Sequence, residues 1–420
     1  MKNQQLFRKT LLAAAVLLTT QQATAAGFQL NAQSATGLGR AFAGDAVIAD
    51  NASVMARNPA AMALFDDVSM SLGVVSIASE IEVKDATYSS FNGAGYTDYD
   101  SNYSDAGDTS YVPNIHVIVP INEQFAVGVN LYSNFGTKTE FDSSFVGSEY
   151  GGLTDVKSMN LGLSGSYRID EQWSVGAGLD IIYGTGKLQR TVSSTIPVPG
   201  VGGATALDAD AAGIAFGFNI GTVYELNENN RFGLSYRYSP ELEAKGDIEK
   251  LGGGTVEDDT LYMPLPDMAE FSGYHRLEAT KFAVHYSVQW IGWSSFDTLD
   301  SDAHGTINEY NWQNAMHFSL GGTYYLNNDW TLRAGYMYDT SAQNITTSIS
   351  VPDSDRQWFS GGFTYHLDAK SNIDFGATYL VGKDVTVNEE TVSSGTTLST
   401  INATTHADAI LLGVQYSRSF

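Results

Sequence analysis

Alternation constrains this chain more than any other feature. From residue 67 onward, fourteen segments carry large apolar residues at every second position, with small or polar residues between them. Within 211–224 the even positions hold Ala212, Ile214, Phe216, Phe218, Ile220, Thr222 and Tyr224, and the odd ones hold Ala211, Gly213, Ala215, Gly217, Asn219, Gly221 and Val223. Successive side chains of a strand point to opposite faces, so one face here is bulky and greasy and the other small or wet. An even number of such strands, greasy face outward, predicts an all-β, 14-stranded antiparallel transmembrane β-barrel.

The segments lie near 67–84, 111–120, 124–139, 155–169, 172–190, 211–226, 230–246, 267–277, 281–292, 313–326, 329–340, 354–367, 372–386 and 406–420. Short and long connections alternate between them. Asn, Asp and neighbouring polar residues supply turn chemistry at 121–124, 170–171, 227–229, 278–280, 327–328 and 368–371. The long connections cover 85–110, 140–154, 191–210, 247–266, 293–312, 341–353 and 387–405. That asymmetry predicts short periplasmic turns, long outer loops and periplasmic termini in a Gram-negative outer membrane.

At the N-terminus, Lys2, Arg8 and Lys9 precede the short apolar run 11–18, and Ala23-Thr24-Ala25 forms a small-x-small cleavage site. We read 1–25 as a secretory signal peptide, 67–420 as the barrel, and 26–66 as a segment too irregular for a strand, with weak helical character from Ala41 to Ala49. Side chains fill the lumen of a barrel of about eight strands, and a larger barrel leaves a void. The 26–66 segment is therefore expected as a plug, or hatch, inside the lumen. Trp173, Phe232 and Trp330 follow short turns, as girdle aromatics do. Phe420 closes an alternating last strand and is expected to be the signal by which the barrel-assembly machinery recognises the chain.

The composition excludes several functions. With 47 Asp and Glu against 22 Lys and Arg, the net charge is −25, which makes nucleic acid a very poor partner. There is no Cys for a disulfide or thiolate site. The seven His are scattered, and neither a Gly-x-Ser-x-Gly elbow nor a His-Glu-x-x-His pair is present, so no catalytic residue, metal site or cofactor is read and the chain is not expected to be an enzyme. The acidic stretch Asp85, Asp98, Asp100, Asp105 and Asp108 reads as a solvated loop. Leu188 and Arg190 share lumen parity at the outer end of the fifth strand, which suits a tail-and-carboxylate site, although most lumen Arg residues are solvated charges.

Ala26-Gly27-Phe28-Gln29-Leu30-Asn31, Gly37-Leu38-Gly39-Arg40-Ala41 and Arg57-Asn58-Pro59-Ala60 resemble the N-terminus of the FadL-type long-chain fatty acid transporters. Val112-Pro113-Asn114, Met159-Asn160-Leu161, Ser272-Gly273-Tyr274 and Ser348-Ile349-Ser350-Val351-Pro352-Asp353 continue the resemblance in the same order. It implies passive outer-membrane transport of a long-chain fatty acid through a hydrophobic lumen site, hatch movement and lateral exit. It further implies ligand contacts at Phe28, Leu188, Arg190 and Leu277, a hatch motif at Asn58, Pro59 and Ala60 bonded near Asp339, and a kink of the third strand at Gly136 that opens the wall. The family pairs its Arg with a Lys of the fifth long loop, but no Lys occurs between 282 and 369. Arg276 or Lys281 are candidate substitutes. Uptake of monoaromatic hydrocarbons, which need no cation, is the alternative, followed by a general porin. Lipopolysaccharide and outer-membrane lipid are the expected surroundings of a monomer.

Overall fold

The computed structural model describes residues 27–393 and 395–420; the expected signal peptide lies outside the described residues. Fourteen membrane strands form one closed antiparallel barrel. They are β1 (Ser69–Phe91), β2 (Thr109–Pro120), β3 (Phe125–Tyr132, resuming at Gly136–Glu140), β4 (Leu153–Arg168), β5 (Trp173–Thr191), β6 (Thr205–Asn227) and β7 (Asn230–Tyr238, then Glu241–Lys250). Next come β8 (Gly254–Pro264, then Met268–Arg276), β9 (Phe282–Ile291), β10 (Ala315–Tyr325), β11 (Trp330–Asp339), β12 (Arg356–His366), β13 (Ser371–Gly382, then Val385–Ser393) and β14 (Thr396–Ser419). Closure comes from β1, which pairs with β2 on one side and β14 on the other.

The parity expected from the sequence holds through the bilayer. On β6, Ile214, Phe216 and Ile220 are exposed at 58%, 70% and 47%, while Asn219 and Ala215 are buried. Aromatic pairs Trp173–Tyr224, Phe282–Tyr324 and Trp330–Tyr365, with centroids 4.6, 4.6 and 4.8 Å apart, ring the short-turn edge. One device recurs in those turns. Asn122, Asp170 and Asn327 each accept, through the side-chain oxygen, the backbone N–H groups two and three residues on. These Asx turns fix each hairpin locally.

Two expectations need correction. Several strands run far past the membrane: β1 reaches Phe91, β6 begins at Thr205, and β14 begins at Thr396 rather than near 406. Above the bilayer the outward residues turn polar, such as Glu80, Glu82, Thr87 and Ser89 on β1, while Ile81, Val83, Tyr88 and Ile401 pack inward, so a greasy outward face no longer marks a strand although the hydrogen-bond ladder continues. The weak helix expected over 41–49 is also absent. The only α-helix among the described residues is α1 (Ala35–Leu38), and positive φ at Ala41, Phe42 and Gly44 coils the chain after it. Two 3-10 turns follow, Ala52–Ala56 and Pro59–Leu64, capped by the side chains of Asn51 and Asn58. Nearly every residue from Phe28 to Met62 is buried, so the lumen is filled as anticipated.

Candidate functional site

Near the outer end of the lumen, Phe28, Trp293, Phe296 and Trp312 form an aromatic box, with Phe28 4.6 Å from Trp293 and 5.2 Å from Phe296, centroid to centroid. Phe28 also lines a narrow, almost wholly apolar cavity with Val156, Leu188, Leu261, Met263 and Leu299. Leu188 and Tyr310 separate it from a second, roomier polar chamber of about 180 Å³ that holds Arg190, Lys250, Glu149 and Glu389. The greasy cavity and the charged chamber therefore share a wall.

Arg190 lies seven residues beyond Tyr183 on β5, above the membrane-spanning stretch. Its Nη1 donates to the carbonyls of Leu153 and Gln189, at 2.6 and 2.8 Å, and its Nη2 to the Thr154 hydroxyl at 2.6 Å. Among the described residues it makes no ion pair, and burial lowers its pKa to about 10. Nε–H and one Nη2 hydrogen remain for a carboxylate. Lys250, which the sequence reading missed, donates to the Thr306 carbonyl at 2.6 Å and supplies the chamber with a second cation. Arg276 and Lys281 stand instead at the short-turn end, over the Tyr325 ring and on the Leu326 carbonyl.

Leu277 is a correction. It sits in the short β8–β9 turn, 46% exposed, and shares the outward parity of Phe271, so it is not part of the cavity. Asp339 is another. Its carboxylate accepts from Arg356 Nε at 3.2 Å and Trp358 Nε1 at 2.9 Å, in the wall at the outer end of β11. Asn58 lies at the opposite end of the lumen, where its Nδ2 donates to the carbonyls of Ala46 and Thr222 at 2.8 and 3.0 Å. No contact joins the two residues. Pro59 and Ala60 press on β5 at Gly176, where an added methyl would overlap the Ala60 amide nitrogen.

The third strand is interrupted between Tyr132 and Gly136. Below the break β3 pairs with β2 as far as Leu131–Ile115; above it, the Gly136–Glu140 segment pairs only with β4. The hatch occupies the vacated edge. Leu30 N–H donates to the Asn134 carbonyl at 2.6 Å, and Gly136 N–H to the Phe28 carbonyl at 2.8 Å. On the β2 side, Asn114 donates to the Ala32 carbonyl and the His116 ring bonds the Gln33 carbonyl at 3.0 Å. At the outer margin Lys138 pairs with Asp108 at 2.7 Å. Residues 28–33 therefore span an unpaired seam in the wall, and Phe28 carries the same segment into the apolar cavity.

The family described as outer membrane protein transport protein (OMPP1/FadL/TodX) matches residues 16–420. The chain belongs to that family. It is 37% identical to the long-chain fatty acid transport protein of Salmonella typhi over 93% of this chain and 95% of that one. It is 35% identical to outer membrane protein P1 of Haemophilus influenzae over 99% of both. A crystal structure of a Pseudomonas aeruginosa FadL homologue superposes with a TM-score of 0.82 at 22% identity, covering 94% of this chain and all of that one. The protein is thus an outer-membrane β-barrel of a transport family, not of an enzyme family.

Proposed function

We propose that the protein carries long-chain fatty acids passively across the outer membrane. The observation that supports this most is the apolar cavity abutting a chamber with two cations, Arg190 and Lys250. Each methylene gains about 0.8 kcal/mol on leaving water, so the tail drives binding while Arg190 orients the carboxylate. Phe28 and Leu188 would touch the tail. A ligand that displaces Phe28 pulls on the segment that spans the seam, and the hatch motif Asn58-Pro59-Ala60 anchors the rest. Exit would then be sideways, at the break preceding Gly136. The filled lumen argues against a general porin.

The aromatic box favours a second reading, uptake of monoaromatic hydrocarbons, whose rings suit edge-to-face packing. Binding of oleate and of toluene to the purified barrel, wild type and Arg190→Ala, separates the two. We expect oleate to weaken about 10- to 100-fold, the worth of a charge-assisted hydrogen bond, and toluene to be unaffected. Oleate binding that survives the substitution unchanged would overturn the carboxylate assignment.

The same proposal divides the chain into a signal peptide (1–25), a hatch (26–66) and a barrel (67–420). It includes a monomer among lipopolysaccharide and outer-membrane lipid. It also includes recognition of the exposed Phe420 ring by the assembly machinery.

A further inference from the structure

The polar chamber contains a group that the fatty-acid reading leaves without a role. Glu389 lies on the outer segment of β13, beyond the bilayer, and lines the chamber with Arg190, Lys250, Glu149 and Tyr310. Its Oε1 accepts the Ile349 N–H at 2.9 Å, and its Oε2 has only the Ser348 hydroxyl at 3.4 Å. It forms no ion pair among the described residues. Glu149, the other acid in the chamber, is committed: it accepts from the hydroxyls of Tyr88 and Ser399 and the Ser193 N–H, at 2.7, 2.6 and 3.1 Å.

Two cations therefore face two carboxyl groups, and the chamber is neutral when Glu389 is ionised. Resting on the fatty-acid reading of the same site, we propose that Glu389 is the counter-charge of the empty site and takes up one proton when an anionic amphiphile binds, so that it decides which head group the chamber accepts. The proton comes from bulk water and adds to Oε2, because Oε1 holds the Ile349 amide. The incoming anion then takes over Arg190 without an ionised neighbour.

The groups that face Glu389 set the direction of the coupling. Burial pushes its pKa up to about 7, and attraction from Arg190 partly opposes that rise. A ligand anion beside Arg190 cancels this attraction and adds repulsion, so the protonated form gains. Reciprocity then requires that protonation favours the anion, and that affinity falls as pH rises through the neutral range. Lys250 acts in the same sense as Arg190 but ends on Thr306. Glu149 and the neutral Tyr310 and Tyr150 complete the surroundings. Glu390, the neighbour in sequence, is on the other parity of the strand.

Dodecanesulfonate tests this without titration of its own, since its charge is constant with pH; dodecanol is the neutral control. Between about pH 5.5 and about pH 8.5 the wild-type barrel should lose about tenfold in sulfonate affinity and keep its affinity for dodecanol. Glu389→Gln, which retains the acceptor for Ile349, should show no slope and bind at about the acidic wild-type level at every pH. Calorimetry of the wild type in two buffers of different ionisation enthalpy should report proton uptake near neutral pH, whether or not the variant folds. A flat wild-type profile, a slope that persists in Glu389→Gln, or no proton uptake overturns the proposal. Failure of the underlying reading looks different: Arg190→Ala would then bind sulfonate as the wild type does at every pH.

Discussion

Single side chains divide the work unequally in the head-group chamber. Arg190 is fixed by three hydrogen bonds and still presents two donors, whereas Lys250 is a half-exposed point charge whose ammonium already has a carbonyl. Exposed charges are worth about 0.2–1 kcal/mol and are screened by salt. Lys250→Ala should therefore weaken oleate by no more than about fivefold at low salt, with the effect lost at about 1 M salt. Titrating both variants against oleate at the two ionic strengths checks the ranking, and a Lys250 effect as large as that of Arg190 would reverse it. At the other end of the lumen the decisive residue is one without a side chain. Gly176 lets the Pro59–Ala60 backbone lie directly on β5. Gly176→Ala forces the hatch off that contact, an overpacking effect of about 1–3 kcal/mol. Faster proteolysis of residues 27–66 in intact barrels is the expected readout, and an unchanged cleavage rate would show that the contact is slack.

Among the elements, the interrupted strands explain both what the sequence made legible and what it hid. In continuous β5, lumen parity runs unbroken from Ser174 to Leu188, and reading alternate residues places Leu188 and Arg190 on the inside. In β3, β7, β8 and β13 the inward parity flips across the break. On β7, Gly233, Ser235 and Arg237 face inward before Ser239-Pro240, and Leu242, Ala244 and Ile248 do so after it. An odd offset exchanges the two faces of a strand. The outer segments beyond these breaks supply Thr137, Ala244, Leu261, Met263, Lys250 and Glu389 to the two chambers. A parity count carried across the break puts Lys250 on the wrong face only if the flip is missed, and Pro240 was the one signal for it. Gly136 is the one local mark of the seam, and the segment that fills it cannot be read locally, because the hydrogen bonds run to residues about a hundred positions away.

That seam can be locked. Gln29 and Phe135 face each other as an isolated antiparallel pair, flanked by the Leu30–Asn134 and Gly136–Phe28 hydrogen bonds. This is the non-hydrogen-bonded type, with Cα atoms about 4.5 Å apart, a spacing that accepts a disulfide. In a chain with no native Cys, Gln29→Cys with Phe135→Cys should cross-link cleanly. Cells carrying the oxidised form should take up oleate at a small fraction of the rate of the same variant after reduction. Equal uptake in both redox states would mean that the segment need not leave the wall.

At the scale of the molecule, the hatch and barrel are joined by charge as much as by grease. Arg40 in the hatch pairs with Asp45 and Asp50, both at 2.8 Å; Asp50 also takes Arg333 of β11, which in turn approaches Asp374 of β13 at 3.5 Å. Arg57 pairs with Glu270 of β8 at 3.4 Å, and Arg237 of β7 pairs with Asp180 of β5 and donates to the Ala56 carbonyl. Arg40 and Arg57 offset the acids Asp45 and Asp50 of the hatch itself, and the two ion pairs that cross to the barrel, Asp50–Arg333 and Arg57–Glu270, exist only while the hatch is seated. A fourteen-stranded wall without its hatch is wide enough for a water-filled pore. The intact protein should therefore show no steady conductance in planar bilayers. Removing one partner of a buried pair leaves the other charges uncompensated, a loss of about 3–5 kcal/mol that falls mainly on hatch docking rather than on the strand ladders. Arg40→Ala should accordingly produce intermittent, cation-selective openings in a barrel that still migrates as folded on unheated gels. Steady large conductance in the wild type would mean that the lumen is not sealed, and silence in Arg40→Ala would move the seal from this charge network to the apolar packing around Met55 and Met62.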